Sequence, residues 1–318
     1  MAKLLDSIKS FIDKKMPKKV ERRTIESSYV LETENLGISF GGLKAVQNVN
    51  LKIEKNEIYG LVGPNGAGKT TVFNLLTGVY QPTEGTFFLN GEELRTLSQE
   101  KINHKGIART FQNIRLFNNM SVVRNVMVGL HNQEEYKCSV IESILRLPRH
   151  LKVEKEMRER AKELLDIFGL KEERNNLACN LPYGKQRKLE IARALATNPK
   201  LICLDEPAAG LDPRGKTEIL GRLVDFQKKR QNTMVIISHS MEDIALYSDH
   251  IITLSNGKVL IEGTPKEVFA QNQLLCSNGL AIPQVTQILS RLKSDGYDVD
   301  DGCFTLEEAA KMLLQKIK

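Results

Sequence analysis

The chain has 318 residues, of which 41% are hydrophobic and 27% charged, with a net charge of +7. That balance belongs to a water-soluble globular chain of about two domains and excludes a disordered one. No window approaches the ~18 consecutive apolar residues of a membrane-spanning helix. The first 19 residues are studded with lysine and have no unbroken apolar core, so no secretory signal is expected. Five cysteines (Cys138, Cys179, Cys203, Cys276 and Cys303) form an odd set without CxxC spacing. They point away from a disulfide framework or a zinc site and suit a reducing cytosol.

The charge is concentrated at the start. Met1–Arg23 carries eight basic and three acidic residues, +5 of the total. Leu4, Leu5, Ile8, Phe11 and Ile12 recur there at helical spacing among the lysines. The pattern predicts an amphipathic helix, either packed on a protein surface or lying on an anionic membrane. No aromatic platform accompanies the charge, so nucleic acid is not an expected partner.

Further along, Tyr29–Phe40 and Val46–Ile53 read as strands joined at Gly41-Gly42. Glu57–Val62 reads as a short buried strand leading into a glycine-rich loop and a helix over Thr70–Leu76. Gly85–Leu89 precedes Asn90-Gly91, a tight-turn signal. Val122 to Phe168 reads as mostly helical, interrupted at Asn132–Lys137 and at Pro148, with a well-patterned helix over Met157–Leu170 stopped by Gly169. Ile202–Leu204 and Met234–Ser238 are buried-type strands. Ile251–Leu254 and Lys258–Ile261 flank Asn256-Gly257 as a hairpin. The last ~50 residues read as short helices broken at Pro283 and Gly296.

Gly63-Pro64-Asn65-Gly66-Ala67-Gly68-Lys69-Thr70 fits the phosphate-loop pattern, with a strand before it and a helix after it. Glycines let successive backbone N–H groups point at phosphate oxygens. The helix N-terminus adds its positive end. Lys69 supplies a mobile cation, and Thr70 a hydroxyl for Mg²⁺. Leu201 to Leu204 is an apolar strand that ends in Asp205-Glu206. Two acids at the end of a buried strand need a reason, because bare buried charge is costly. A metal–phosphate site supplies one: Asp205 for Mg²⁺ and Glu206 for the attacking water. His239, just past a strand, could donate to a terminal phosphate. Gln112 could ligate Mg²⁺ through its amide oxygen.

The order of these motifs resembles the nucleotide-binding subunit of an ATP-binding-cassette (ABC) transporter. It runs from the phosphate loop through Gln112, Leu181-Pro182-Tyr183-Gly184-Lys185-Gln186, Leu204-Asp205-Glu206-Pro207 and Ala209-Gly210-Leu211-Asp212-Pro213 to Ser238-His239. The resemblance covers about residues 29–267. It implies an α/β fold, a P-loop NTPase with a RecA-like core, an antiparallel β-subdomain and an α-helical subdomain near residues 118–185. A basic extension (1–28) and a short helical C-terminal segment (268–318) flank it. The family further implies a head-to-tail dimer sandwiching two ATP molecules, with Thr71 extending the phosphate loop and Phe40 stacking on adenine. Leu181–Gln186 would act in trans on the partner's nucleotide, and Asp212 would communicate across the dimer. Transmembrane permease subunits and a second ABC ATPase, a copy or a relative, are the implied partners, at the cytoplasmic face of the membrane. The usual signature is Leu-Ser-Gly-Gly-Gln. Pro182 here offers neither hydroxyl nor N–H, which removes one or more phosphate contacts.

Two branches of the family meet in this chain. Residues ~29–210, with Ser39-Phe40-Gly41-Gly42-Leu43, Ala108-Arg109-Thr110-Phe111-Gln112 and Glu206-Pro207-Ala208-Ala209-Gly210, resemble the ATPase of branched-chain amino-acid importers. Residues ~211–318, with Gly263-Thr264-Pro265-Lys266-Glu267-Val268-Phe269 and Pro283-Gln284-Val285-Thr286, resemble an energy-coupling-factor ATPase for vitamin or metal uptake. The front half holds the region that would grip a permease, which favours the amino-acid importer. The energy-coupling-factor system and a soluble ATP-driven switch stand as alternatives.

Overall fold

The computed structural model describes residues 23–136, 142, 147–300 and 302–316. The basic segment expected to form an amphipathic helix therefore lies outside the described residues, apart from Arg23.

The chain builds two sheets. The first is antiparallel, in the order β2-β1-β5-β6: β1 (Leu31–Phe40), β2 (Leu43–Val49), β5 (Glu84–Leu89) and β6 (Glu92–Glu93), with β3 (Lys52–Ile53) also paired to β1. The single strand expected over Val46–Ile53 is split in two. Asn48 has a left-handed φ of 50° at a register shift within β2, and the ladder breaks at Asn50-Leu51 before β3. Asn90 and Gly91 are both left-handed and close the predicted tight turn between β5 and β6.

The second sheet has the order β11-β10-β4-β9-β8-β7. Its strands are β4 (Ile58–Val62), β7 (Ile107–Arg109), β8 (Leu201–Asp205), β9 (Thr233–Ile237), β10 (His250–Ser255) and β11 (Lys258–Gly263). All pairs are parallel except the β10–β11 hairpin. A parallel strand in the middle of such a sheet is covered on both faces, so its apolar run is continuous. The alternation then decides which core each side chain enters. Ile58 and Val62, Ile202 and Leu204, Met234 and Ile236 face one core. Tyr59 and Leu61, Leu201 and Cys203, Val235 and Ile237 face the other. The second of these cores is shared with the antiparallel sheet and with α1 (Lys69–Leu76), which contributes Val72, Phe73, Leu75 and Leu76.

The first core is shared with a group of helices. α2 (Gln99–Lys105) leads into β7. α3 (Val122–Leu130), α4 (Pro148–Ile167) and α5 (Tyr183–Ala196) pack together through Val126, Leu130, Ala161, Leu165, Leu189 and Ala192. Pro148 marks a break in the helical stretch, as expected: Leu147 before it is extended, and a new helix starts at the proline. It occupies the first turn of α4, where its missing N–H costs nothing. Gly169, at φ 68°, follows the end of that helix as expected. α6 (Pro213–Arg230), absent from the sequence reading, is capped by Asp212, whose Oδ1 accepts from the Gly215 N–H at 3.3 Å. α7 (Met241–Tyr247) precedes β10, and α8 (Pro265–Ala270) opens with a reciprocal Thr264–Glu267 capping box. α9 (Asn272–Ser277) follows. α10 (Gln284–Ser294) and α11 (Leu306–Lys316) enclose a small apolar core of Leu289, Val299 and Ala309. Among the described residues no helix is long and apolar enough to cross a membrane, and Cys179, Cys203, Cys276 and Cys303 are free thiols.

Gly129 fixes how closely α3 approaches α5. A Cβ at that position would lie 2.4 Å from the Arg193 carbonyl oxygen and 3.0 Å from the Ala196 Cβ. Gly129→Ala is therefore expected to force the two helices apart and lower stability by about 1–3 kcal/mol. Urea unfolding followed by circular dichroism checks it; an unchanged midpoint would show that the contact yields without cost.

Candidate functional site

The parallel strands deliver their C-terminal ends to one edge, and the loops that follow them meet there. The loop after β4 wraps the N-terminus of α1. Its glycines are required by geometry: a Cβ on Gly63 would sit 2.5 Å from the Leu254 carbonyl oxygen, and Gly68 precedes the helix with a φ of 100°. Gly66, at φ 81°, has no atom within 4 Å of a would-be Cβ, so its backbone borders open space. Lys69 is only 7% exposed. Its Nζ folds back to donate to the carbonyl oxygens of Gly63 at 2.7 Å and Pro64 at 3.0 Å. Burial pushes its pKa down, and the negative charges of Glu206 and Asp205 pull it back up.

A cleft of about 270 Å³ opens over this loop. Asn65, Gly66, Ala67, Gly68, Lys69, Thr70 and Thr71 line it from the loop and helix, Gln112, Glu206 and His239 from other strand ends, and Ala45 from the antiparallel sheet. Four separate segments predicted from the sequence are thus brought to one place.

Asp205 lies at the end of β8, 1% exposed. Burial pushes its pKa up, while the guanidinium of Arg109, 3.0 Å from its Oδ2, pulls it down. Glu206 follows with a left-handed φ of 49°, uncommon for a residue with a side chain. Its backbone N–H donates to the Ile237 carbonyl at 3.0 Å, which ties the turn to β9. His239 Nε2 stands 2.9 Å from Glu206 Oε1, so the two groups already touch across the cleft. The Thr70 hydroxyl, the Asp205 carboxylate and the Gln112 amide are all hard oxygen donors. Among the described residues no group of three or more His, Cys, Asp or Glu could hold a metal by itself. Few protein ligands, all oxygen, suit Mg²⁺, which keeps its waters and shares phosphate oxygens.

The signature segment lies apart: none of Leu181, Pro182, Tyr183, Gly184, Lys185 or Gln186 is in the lining of the cleft. Its helix begins at Tyr183, with Pro182 in the capping position and no side-chain cap. The Pro182 carbonyl accepts from the N–H groups of Lys185 and Gln186. Phe40 also stands outside the cleft lining. It is 43% exposed and meets Tyr80 edge-to-face at 5.2 Å, an aromatic the sequence reading passed over. Asp212 is exposed, and its carboxylate is engaged in capping α6.

Two residues that sequence reasoning missed anchor the Gln112 loop. Arg187 and Glu190, on α5, form an ion pair at 2.8 Å with side chains 0% and 1% exposed. Arg187 also donates to the carbonyl oxygens of Phe111 at 2.7 Å and Gln112 at 2.8 Å. Glu190 Oε1 accepts from the Arg115 N–H at 3.0 Å. Opposite charges three residues apart on a helix were the available signal, but nothing local distinguished them from a surface pair.

This edge, a phosphate-type loop facing a strand that ends in two acids, defines an ATP-binding cassette of the P-loop class. Residues 46–209 match the family described as ABC transporter. The high-affinity branched-chain amino acid transport ATP-binding protein BraF of Pseudomonas aeruginosa is 42% identical over 239 residues, 75% of this chain and 93% of that one. The energy-coupling factor transporter ATP-binding protein EcfA2 of Caldanaerobacter subterraneus is 33% identical over 283 residues, 86% of this chain and 91% of that one. Among solved structures, the ADP conformation of an ABC-transporter cassette superposes with a TM-score of 0.67 at 31% identity, covering 78% of this chain and 97% of that one. The cbiO1 protein of Clostridium perfringens does so at 0.66 and 28%, covering 84% and 98%. The chain belongs to the ABC transporter family and is an ATP-binding, ATP-hydrolysing subunit of it.

Removing one member of the buried pair strands the other. Arg187→Met is expected to cost about 3–5 kcal/mol, and Arg187→Met with Glu190→Leu distinctly less. Urea denaturation of the three proteins checks the order; equal losses would mean the pair is not the unit that matters.

Proposed function

We propose that this chain powers an ABC importer for branched-chain amino acids from the cytoplasmic face of the membrane. The single observation that carries the hydrolytic reading is the convergence of Lys69, Thr70, Gln112, Glu206 and His239 on one cleft. The 42% identity to BraF over nearly its whole length supports the cargo.

In this reading the backbone N–H groups of residues 65–70 receive the phosphates of ATP. Lys69 leaves the Gly63 and Pro64 carbonyls to neutralise the β- and γ-oxygens. Thr70, Asp205 and Gln112 would hold Mg²⁺, which would offset negative charge on the phosphates. Glu206 orients the attacking water and accepts its proton, and His239 turns from Glu206 to donate toward the γ-phosphate. Phe40, with Tyr80 beside it, offers an aromatic surface to adenine. The segment Leu181–Gln186, separate from its own chain's cleft, completes the cleft of a second ATPase in a head-to-tail dimer. Pro182 leaves that contact to backbone N–H groups at the start of α5, with the helix dipole behind them. Asp212 sits beside the segment that would meet the partner.

A groove of about 580 Å³ between β7, the Gln112 loop and α3 and α5 supports docking of a permease. Phe111, Phe117, Val128, His131 and Arg193 are among its lining. Apolar and cationic side chains together suit a cytoplasmic helix with acidic and apolar residues. The 33% identity to EcfA2 across 86% of this chain favours a second reading, an energy-coupling-factor ATPase whose C-terminal helices add dimer contacts. Residues 1–23 are proposed to bind anionic lipid weakly, which salt would weaken further.

Glu206→Gln is expected to lower hydrolysis by at least ~100-fold and to trap an ATP-bound dimer on size exclusion. Normal turnover would remove Glu206 from the water-positioning role. Lys69→Ala is expected to lose ATP binding itself in a fluorescent-nucleotide titration, and unchanged affinity would sink the phosphate-loop reading. For the cargo, a mild-detergent pull-down from native membranes decides. Two many-helix permeases and a second ATPase support the amino-acid importer. One coupling membrane protein with a small substrate-binding one supports the energy-coupling-factor system.

A further inference from the structure

Arg109 is the last residue of β7 and lies opposite Cys203 in the parallel register, two residues before Asp205 on β8. Its side chain is nearly buried, 6% exposed. Each guanidinium nitrogen has a partner on a different segment. Nη2 donates to Asp205 Oδ2 at 3.0 Å, Nη1 to Asn74 Oδ1 on α1, and Nε to the Thr110 carbonyl at 3.3 Å. The guanidinium carbon is 5.0 Å from the centre of the Phe111 ring and 5.8 Å from that of Phe73. Below this, the Asp205 N–H donates to the Thr110 Oγ1 at 3.2 Å. A buried arginine with all three nitrogens engaged and aromatic rings on it has little freedom left. It holds one oxygen of Asp205 and thereby sets where the other points.

We infer that Arg109 is a positioning residue for the metal-binding carboxylate, a fork that orients Asp205 against the phosphate-loop helix and the root of the Gln112 loop. This rests on the proposal that Asp205 holds Mg²⁺. The same residue borders the groove proposed for the permease, alongside Phe111 and Phe117. A charge alone does not do this work, because Lys at the site reaches one partner where the fork reaches three.

The test uses the full chain with Arg109→Lys, Arg109→Met and Asp205→Asn. Mn²⁺ affinity of the complex with a non-hydrolysable ATP analogue is read by electron paramagnetic resonance, and hydrolysis is measured against Mg²⁺. Arg109→Lys is expected to keep nucleotide affinity in EDTA within about twofold of the wild type. It should weaken Mn²⁺ binding and lower kcat by about 10–100-fold, the range typical of groups that orient a metal ligand, with KM for ATP little changed. Arg109→Met should do at least as much. If Asp205→Asn weakens Mn²⁺ binding and neither Arg109 variant does, the positioning role is overturned while the metal role of Asp205 stands. If Asp205→Asn leaves Mn²⁺ binding intact, the metal reading fails and this inference with it. Should the Arg109 variants not fold, Asn74→Ala removes one tether of the fork from the opposite side. A weaker Mn²⁺ affinity then supports the inference, and an unchanged one overturns it.

Discussion

The rest of the structure depends on holding a lysine and a carboxylate out of water at or beyond the ends of two strands that flank a third. Lys69 and Asp205 are both nearly buried, and each charge costs several kcal/mol unless it is matched. Lys69 is matched by two carbonyl oxygens of its own loop, Asp205 by Arg109. Neither match uses up the group. A carbonyl-bound ammonium can be handed to phosphate, and a carboxylate with one oxygen engaged has another to offer. The parallel sheet makes this possible, because it places β4 and β8 on either side of β9 with their C-terminal ends level.

A second layer of buried charge serves a loop instead of a phosphate. The segment Phe111–Phe117 has no regular secondary structure, so its backbone groups must find partners elsewhere. Helix α5 supplies them through Arg187 and Glu190, and Arg193 adds a bond to the Arg115 carbonyl. The helix that starts with the signature segment is therefore the helix that grips the Gln112 loop. Direct hydrogen bonds join the two, so neither can move independently without straining or breaking them.

Much of this was legible in the sequence. The strand–loop–helix around Gly63–Thr70 carries its own signals: an apolar run, glycines where the backbone must bend sharply, then a helical period. The acid pair at Asp205-Glu206 was readable beside that loop, because a metal–phosphate site explains charge that would otherwise pass for the surface end of an apolar strand. The Asn90-Gly91 and Asn256-Gly257 turns were equally direct. What escaped were features decided by distant partners. Arg109 reads as an ordinary arginine until β7 is set beside β8. Arg187 and Glu190 read as a surface pair until the loop they hold is folded over them. The short strand β7 was missed because three residues carry no period, whereas α6 was passed over although Asp212-Pro213 signals its start and Ile219, Leu220, Leu223 and Phe226 recur at helical spacing. Pro148 was readable as a break because its ring keeps Leu147 out of the helical region and suits the first turn of the helix that follows.

The strand order carries one further meaning. Counting inward from the hairpin edge, β11 and β10 come from the back of the chain, β4 from the front, β9 from the back, and β8 and β7 from the front. The Gly257 N–H donates to the Ala67 carbonyl within the phosphate loop at 3.1 Å, and the Gly257 carbonyl accepts from the Gln47 N–H at 2.7 Å. The two stretches with different family likenesses are thus interlaced like the fingers of two hands, not set side by side. A chain severed after Gly210 would give two pieces, each with gaps in its sheet that only the other fills. They could regain the fold by complementation but not separately. Any exchange of back halves between relatives is consequently a test of strand fit at β4 before it is a test of cargo.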